Sequence, residues 1–379
     1  MPAAVSGTTC NWLCTGYEVF PAMLAAIAAA QESVCLETYI FAGGSPGEQV
    51  REALLQARKR GVRVRVLIDG LGSYLLPADF WAQLTKAGAE MRVFNPLSLH
   101  RVAIRNHRKL LVCDERLAFV GGFNIAPEYD GDGVTCGWCD VGLKIEGPLA
   151  AKLARSFDEM FALADFKYRP FARFRRSTAK KTVVSPREQL LLSGPGRGRN
   201  PFLRALRRDL EQAQSVRIVA AYFLPTWRLR RQIARAAARG GSVQLILAGK
   251  SDVKLSQLAG RSLYRRLLGA CVQIYEYQPQ ILHAKLVIID DAVYVGSANF
   301  DLRSLHFNYE LMVRFQGEEL AGQARNIFGA QLARCRRITL DEWRKSRTFW
   351  ERLKQRVAYF LLVRLDPYIT RWQWHGLPD

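Results

Sequence analysis

Acidic residues are in short supply in this chain. It carries 34 Asp and Glu against 55 Lys and Arg, a formal net charge of +21 over 379 residues. Such a deficit calls for an anionic partner: nucleic acid, an anionic membrane surface or a phosphate-bearing substrate. Long apolar runs are also missing. The first run, Ala22 to Ala30, falls well short of the ~20 residues needed to span a bilayer. The opening MPAAVSGTTC has no basic segment leading into an apolar one, so no secretory signal is read there. A cytoplasmic protein without a transmembrane helix is the expectation. Neither a P-loop nor a GxGxxG fingerprint occurs, so the chemistry is expected to run without a nucleotide. Eight cysteines are present, yet the Cys136 and Cys139 pair finds only Cys10 and Cys14 as a possible second pair. Free thiols are therefore expected, and no structural zinc.

What the chain does contain, it contains twice. Its length suits roughly two to three domains, and four landmarks recur in the same order. An apolar strand comes first, VCLETYIF (34–41) and then VRIVAAYFLP (216–225). A helical segment rich in Ala and Arg ends on glycine and feeds a strand, RGVRVRVLIDG (60–70) and then RGGSVQLILAG (239–249). Another glycine introduces a short strand, GAEMRVFNP (88–96) and then GACVQIYEY (269–277). A histidine element closes each set, HRKLLVCDERLAFVGGFN (107–124) and HAKLVIIDDAVYVGSANF (283–300). The order strand, helix, strand, helix, strand, strand predicts two tandem α/β halves. Runs such as Val64–Ile68 and Leu286–Ile289 suit strands buried on both faces. The boundaries expected are 1–165 for the first half, 166–189 for a basic linker, 190–335 for the second half and 336–379 for a basic-aromatic tail.

The histidine element breaks the apolar rule in the same way both times. His107 and Lys109 share a strand face, as do His283 and Lys285, because side chains alternate with period two. Asp114 and Asp290 lie seven residues past their histidines, an odd offset that turns them the other way, which suggests an orienting or salt-bridging role. The following hairpins carry Gly121-Gly122 and Gly296-Ser297, where backbone can approach a ligand closely. Asn124, Ser297 and Asn299 can donate hydrogen bonds there. His100, His306 and His375 have no such context and receive no role.

This duplicated HxKxxxxD pattern, followed by GG or GS and Asn, resembles the phospholipase D superfamily. Over nearly the full length the chain is similar to bacterial cardiolipin synthases, through LETYIF (36–41), GVRVRVLIDGLGS (61–73), IEGP (145–148) and GSANFDLRS (296–304). The lack of N-terminal membrane helices points to the shorter, peripheral form. The resemblance implies two phospholipase D-like α/β/α sandwich halves with an active site at their pseudo-twofold junction. It also implies a phosphohistidine intermediate, with His107 as nucleophile and His283 as acid and then base. Glu37 enters as a site candidate on the resemblance alone.

The residues suit that chemistry. Exchange at a phosphodiester needs a nucleophile, a proton donor for the leaving alkoxide and positive charge around the equatorial oxygens. Two histidines supply the first two, and two lysines with Gly122, Asn124, Ser297 and Asn299 supply the third, so no metal is required. Each histidine needs its other ring nitrogen held. Asp140 follows His107 by 33 residues and Glu310 follows His283 by 27, both lone acids entering an apolar stretch. A solvated acid at a strand start is the plainer alternative for each.

The expected activity is phosphatidyl transfer from one phosphatidylglycerol to another at the cytoplasmic face of a bacterial inner membrane. Alternatives are a nuclease or phosphodiesterase of the same fold, a phosphatidyltransferase using another alcohol, and a basic binding module that has lost catalysis. The tail FWERLKQRVAYFLLVRLDPYITRWQW (349–374) interleaves aromatics with arginine and suits an anionic membrane surface; a helix packed on the core is its plainer reading. Phe166, Tyr168, Phe171 and Phe174 in the linker have the same character and could stack bases. The narrow resemblance favours lipid, and no nucleic acid is expected.

Overall fold

The computed structural model describes residues 3–5, 7–96, 104–164, 179–185, 187–196 and 198–366. The first half builds an eight-stranded sheet from β1 (Ala3–Val5), β2 (Thr8–Leu13), β3 (Ser33–Thr38), β4 (Arg63–Asp69), β5 (Glu90–Phe94), β6 (Leu110–Cys113), β7 (Leu117–Gly121) and β8 (Gly142–Glu146). Its order is β1-β2-β8-β7-β6-β3-β4-β5. The second half builds a nine-stranded sheet from β9 (Lys181–Val184), β10 (Glu188–Ser193), β11 (Ser215–Ala220), β12 (Ser242–Ala248), β13 (Gln273–Tyr277), β14 (Lys285–Ile289), β15 (Ala292–Gly296), β16 (Glu310–Gln316) and β17 (Cys335–Ile338). Its order is β17-β13-β12-β11-β14-β15-β16-β10-β9. The run β2-β8-β7-β6-β3-β4-β5 is matched strand for strand by β10-β16-β15-β14-β11-β12-β13, so the repeated landmarks form repeated architecture.

Helices make the parallel crossovers. Gly47–Lys59 carries the chain from β3 to β4 and buries Val50, Leu54 and Ala57 at helical spacing. Trp227–Ala238 does the same between β11 and β12 with Leu229, Ile233 and Ala236. Both end on a glycine in the left-handed region, Gly61 at φ 92° and Gly240 at φ 91°, a conformation that costs other residues more.

The halves are not separable packing units. One core combines Leu110, Val112, Val120, Leu143 and Ile145 from the first sheet with Leu286, Ile288, Val295, Leu311 and Val313 from the second. Phe157 of the helix Pro148–Ala162 and Phe328 of the helix Glu318–Leu332 belong to it as well. Each such side chain contributes about 1.5–3 kcal/mol when removed from water, so parting the halves would expose a large apolar seam.

Two expected boundaries differ from the structure. Part of the linker region is sheet: β9 pairs with β10 along the edge, because Thr182, Val183 and Val184 are β-branched and follow the run of lysines. The basic-aromatic run 166–176 lies outside the described residues. The tail also begins within the fold, since β17 reaches Ile338 beside β13 and Trp343 of the next helix packs on Tyr264, ring centroids 4.8 Å apart.

The tail helix Phe349–Phe360 is two-faced. Gln355 and Ala358 are buried, while Phe349, Trp350, Leu353, Val357 and Phe360 are 40–71% exposed. A π-helical turn, Leu361–Leu365, continues it. Residues 367–379 lie outside the described residues. Among the described residues no helix is long and apolar enough to cross a membrane.

Candidate active site

The two histidine elements meet because the halves exchange short backbone pairings beside them. The His107 amide donates to the Tyr309 carbonyl (3.0 Å) and the Tyr309 amide to that of Arg105 (2.9 Å). On the other side the Cys139 amide donates to Ile281 (2.9 Å) and the His283 amide to Cys139 (2.7 Å). These bridges set His107 beside Glu310 and His283 beside Asp140.

The pairing is therefore crossed. His107 Nδ1 lies 3.1 Å from Glu310 Oε2, and His283 Nδ1 lies 2.6 Å from Asp140 Oδ2. Each half lends its acid to the other half's histidine. Sequence proximity, 33 and 27 residues, concealed that exchange. A carboxylate on Nδ1 fixes the tautomer and makes Nε2 the basic nitrogen.

All of these groups are buried, and burial sets their charge. Desolvation, opposed by Glu310 in one case and aided by Lys285 in the other, lowers both histidines, His283 to about 4, so both imidazoles are neutral near pH 7. Desolvation also lowers the lysines, Lys109 to about 7 and Lys285 to about 8, each aware of neighbouring charges. Asp140 and Glu310 are buried too, but the facing lysines and histidines more than offset that penalty and hold them below the usual carboxylate range. Lys109 Nζ donates to the His107 carbonyl at 2.8 Å, and Lys285 Nζ lies 3.0 Å from His283 Nε2.

The remaining candidates divide into those that face the cavity and those that support it. Asn124 and Asn299 line a cavity of about 450 Å³ together with both histidines. Asn124 donates to the Tyr129 hydroxyl at 2.6 Å, and that hydroxyl lies 3.4 Å from His283. Ser297 is committed elsewhere: its hydroxyl donates to Glu310 at 2.5 Å. Gly122 makes room for the crossed acid, since a Cβ there would sit 2.2 Å from Asp140 Oδ1. Glu37 accepts from Asn106 (2.7 Å) and pairs with Arg108 (3.1 Å), gripping both neighbours of His107.

Asp114 and Asp290 are not brought to the histidines. Both sit in turns with left-handed backbone, φ 52° and 49°, at the far end of β6 and β14. Asp114 accepts the amides of Gln31 (2.9 Å), Glu32 (2.8 Å) and Ser33 (2.8 Å), and Asp290 accepts those of Gln214 (3.2 Å) and Ser215 (2.8 Å). They brace the loops that lead into β3 and β11. The odd offset did turn them away from the lysine face.

Aromatic walls were not foreseen. Tyr39 meets His107 edge-on at 4.9 Å, and Tyr129 and Trp138 stand 5.3 and 5.6 Å from His283. Tyr39 falls inside LETYIF, the signal that could have found it. Ile40, Leu71, Leu224, Val253, Leu302, Leu362 and Val363 supply the apolar part of the remaining lining, and Asp252, Asp301 and Asp366 are among its polar part. Among the described residues no group of three His, Cys, Asp or Glu side chains could hold a metal ion, and the cysteines are unpaired.

Two tandem α/β halves that carry paired His-Lys elements into one cavity define a phospholipase D-like protein. The family model described as "Cardiolipin synthase, PLD-like domain" matches residues 23–160 and 206–332, and the chain belongs to that family. It is 32% identical to cardiolipin synthase B of Salmonella typhi over 97% of this chain and 90% of the relative. Identity to cardiolipin synthase B of Escherichia coli strain K12 is 31% over 96% of this chain and 91% of that one. The phosphatidylserine synthase structure from Haemophilus influenzae Rd KW20 shares the fold, with TM-score 0.74 at 16% identity, covering 95% of this chain and 94% of that one.

Proposed function

We propose that this chain is a phosphatidyltransferase that joins two phosphatidylglycerol molecules into cardiolipin and releases glycerol, working peripherally at an anionic membrane surface. The observation that carries the proposal is the cavity itself: two histidines at its base with Lys109 and Lys285 buried beside them, and apolar side chains such as Leu71, Leu224, Leu302 and Leu362 along its wall. Phosphoryl chemistry uses the base, and lipid rather than nucleic acid suits the wall.

In the first step His107 Nε2 attacks phosphorus. The N–P bond forms, the P–O bond to glycerol breaks, and His283, which takes up a proton at Nε2 when the anionic phosphodiester binds, passes that proton to the departing oxygen. Glu310 stabilises the charge that His107 gains. Lys109, Lys285, Asn124 and Asn299 neutralise the phosphoryl oxygens. In the second step the terminal hydroxyl of another phosphatidylglycerol gives its proton to His283 and attacks phosphorus, and the N–P bond breaks. One phosphodiester is lost and one gained, so the exchange needs no nucleotide.

Purified protein given phosphatidylglycerol in mixed micelles with excess chelator should yield cardiolipin and one glycerol per cardiolipin. His107→Ala and His283→Ala should each remove nearly all turnover, and the double variant should be no worse than either, because the two act as one unit. Phosphatidic acid as the sole product would overturn the transferase assignment, and loss of activity restored by a divalent ion would overturn the mechanism.

A further inference from the structure

Cardiolipin synthesis, the function proposed above, brings a second phosphodiester into the cavity, one that is neither attacked nor released. The first is met by the asparagines at the base and by the lysines buried beside the histidines. The acceptor's phosphodiester sits three carbons behind the reacting hydroxyl and therefore nearer the opening. A negative charge entering a wall made of apolar side chains and the carboxylates of Asp252 and Asp301 needs a cation there.

Besides the histidines, the cations lining this cavity among the described residues are Arg105 and Arg303. Arg105 is part of the wall: it is 2% exposed and donates to Asp69 (3.2 Å) and to the Asn95 carbonyl (3.0 Å). Arg303 differs. Its side chain is 43% exposed, and it stands on the short helix Leu302–His306 that follows Asn299.

Arg303 grips a carboxylate with two prongs of its guanidinium, Nε to Asp366 Oδ2 at 2.9 Å and Nη2 to Asp366 Oδ1 at 2.5 Å. Planar two-pronged recognition of a carboxylate is also how arginine takes the two free oxygens of a phosphodiester. Asp366 comes from the turn after the tail helix, and Leu362 and Val363 of that turn line the same cavity. The chain thus places an anion of its own on the partly exposed Arg303, beside apolar side chains that suit the acyl part of a lipid.

We propose that Arg303 binds the phosphodiester of the acceptor phospholipid, and that Asp366 holds this position until the lipid displaces it. The inference rests on the transferase function proposed above. Exchange of one anion for another keeps the guanidinium paired throughout, so the donor lipid can react first without leaving an unmatched charge.

The test runs two acceptors in one vessel: phosphatidylglycerol, which carries the second phosphodiester, and ethanol, which does not. The measurement is the ratio of cardiolipin to phosphatidylethanol. Arg303→Gln should lower that ratio roughly tenfold or more, the worth of a lost charge-assisted pair. Arg303→Lys, which keeps charge but not the fork, should recover part of it. Asp366→Asn should raise the ratio by removing the competitor, and this variant and Arg303→Lys remain informative if the glutamine variant fails to fold. Equal losses of both products in Arg303→Gln, or a ratio that falls in Asp366→Asn, would overturn the inference while wild-type cardiolipin synthesis stands. Wild-type protein that makes phosphatidylethanol but no cardiolipin would overturn the proposed function and this inference with it.

Discussion

Binding an anion in this site should draw protons from solution, in a number the structure sets. Lys109, Lys285, Asp140 and Glu310 are all buried around two neutral histidines. With the lysines lowered to about 7 and about 8 and interacting, pH 7.5 falls between the two steps of the pair and leaves about one of them charged. The pair is then about one proton short of full charge. A bound tetrahedral dianion favours the charged form of both lysines and of the adjacent histidines. Uptake at pH 7.5 should therefore be about one proton, rising toward two if a histidine also charges. At pH 5.5 both lysines are already charged before the anion binds, and uptake should fall by about one. Sulfate keeps the same charge across this range and is the probe. Calorimetric titration in buffers of different ionisation enthalpy gives the proton count as the slope of observed enthalpy against buffer enthalpy. A slope of zero at pH 7.5 would mean that both lysines are already fully charged before the anion binds and that burial does not depress them.

Two further expectations concern residues away from the chemistry. Asp114→Ala should cost about 1–2 kcal/mol through lost amide hydrogen bonds, lowering Tm while the folded protein keeps its specific activity; lost turnover at an unchanged Tm would return Asp114 to the site. Replacing Trp350, Val357 and Phe360 together by alanine should weaken binding to phosphatidylglycerol vesicles about tenfold or more, with the remainder more easily removed by salt. Because these side chains are largely exposed, Tm should barely move, and a large fall in Tm with unchanged vesicle binding would mark the face as structural.

The layered fold was legible because its signals are local: strand runs, helix-ending glycines and one repeated polar exception. The convergence of four charged groups with two histidines was foreshadowed by that exception, since a lysine two residues after a histidine shares its face whatever the fold. The crossing of the acids was hidden, because it depends on how two sheets meet rather than on spacing within either. Ser297 was misjudged for a similar reason: a hydroxyl beside a ligand loop reads as a ligand donor until Glu310, thirteen residues on, is seen to take it. The tail gave the right residues for its outer face, but nothing in its pattern revealed that Leu362, Val363 and Asp366 turn back into the cavity.

Crossed pairing makes the chain the covalent equivalent of a symmetric dimer. Neither half holds a finished acid-base unit, yet a single ancestral half meeting its own copy about the same axis would complete both. The two halves differ where the crossed pairing does not bind them. Strand register puts Val219 where the first half has Glu37, and Ala284 where it has Arg108, so an ion pair beneath one histidine is matched by an apolar contact beneath the other. The two acids are bound by the crossed pairing. A change at position 140 is felt at 283, and one at 310 is felt at 107. A chain cut in the linker could regain function only by reassembly, with each fragment curing a defect in the other.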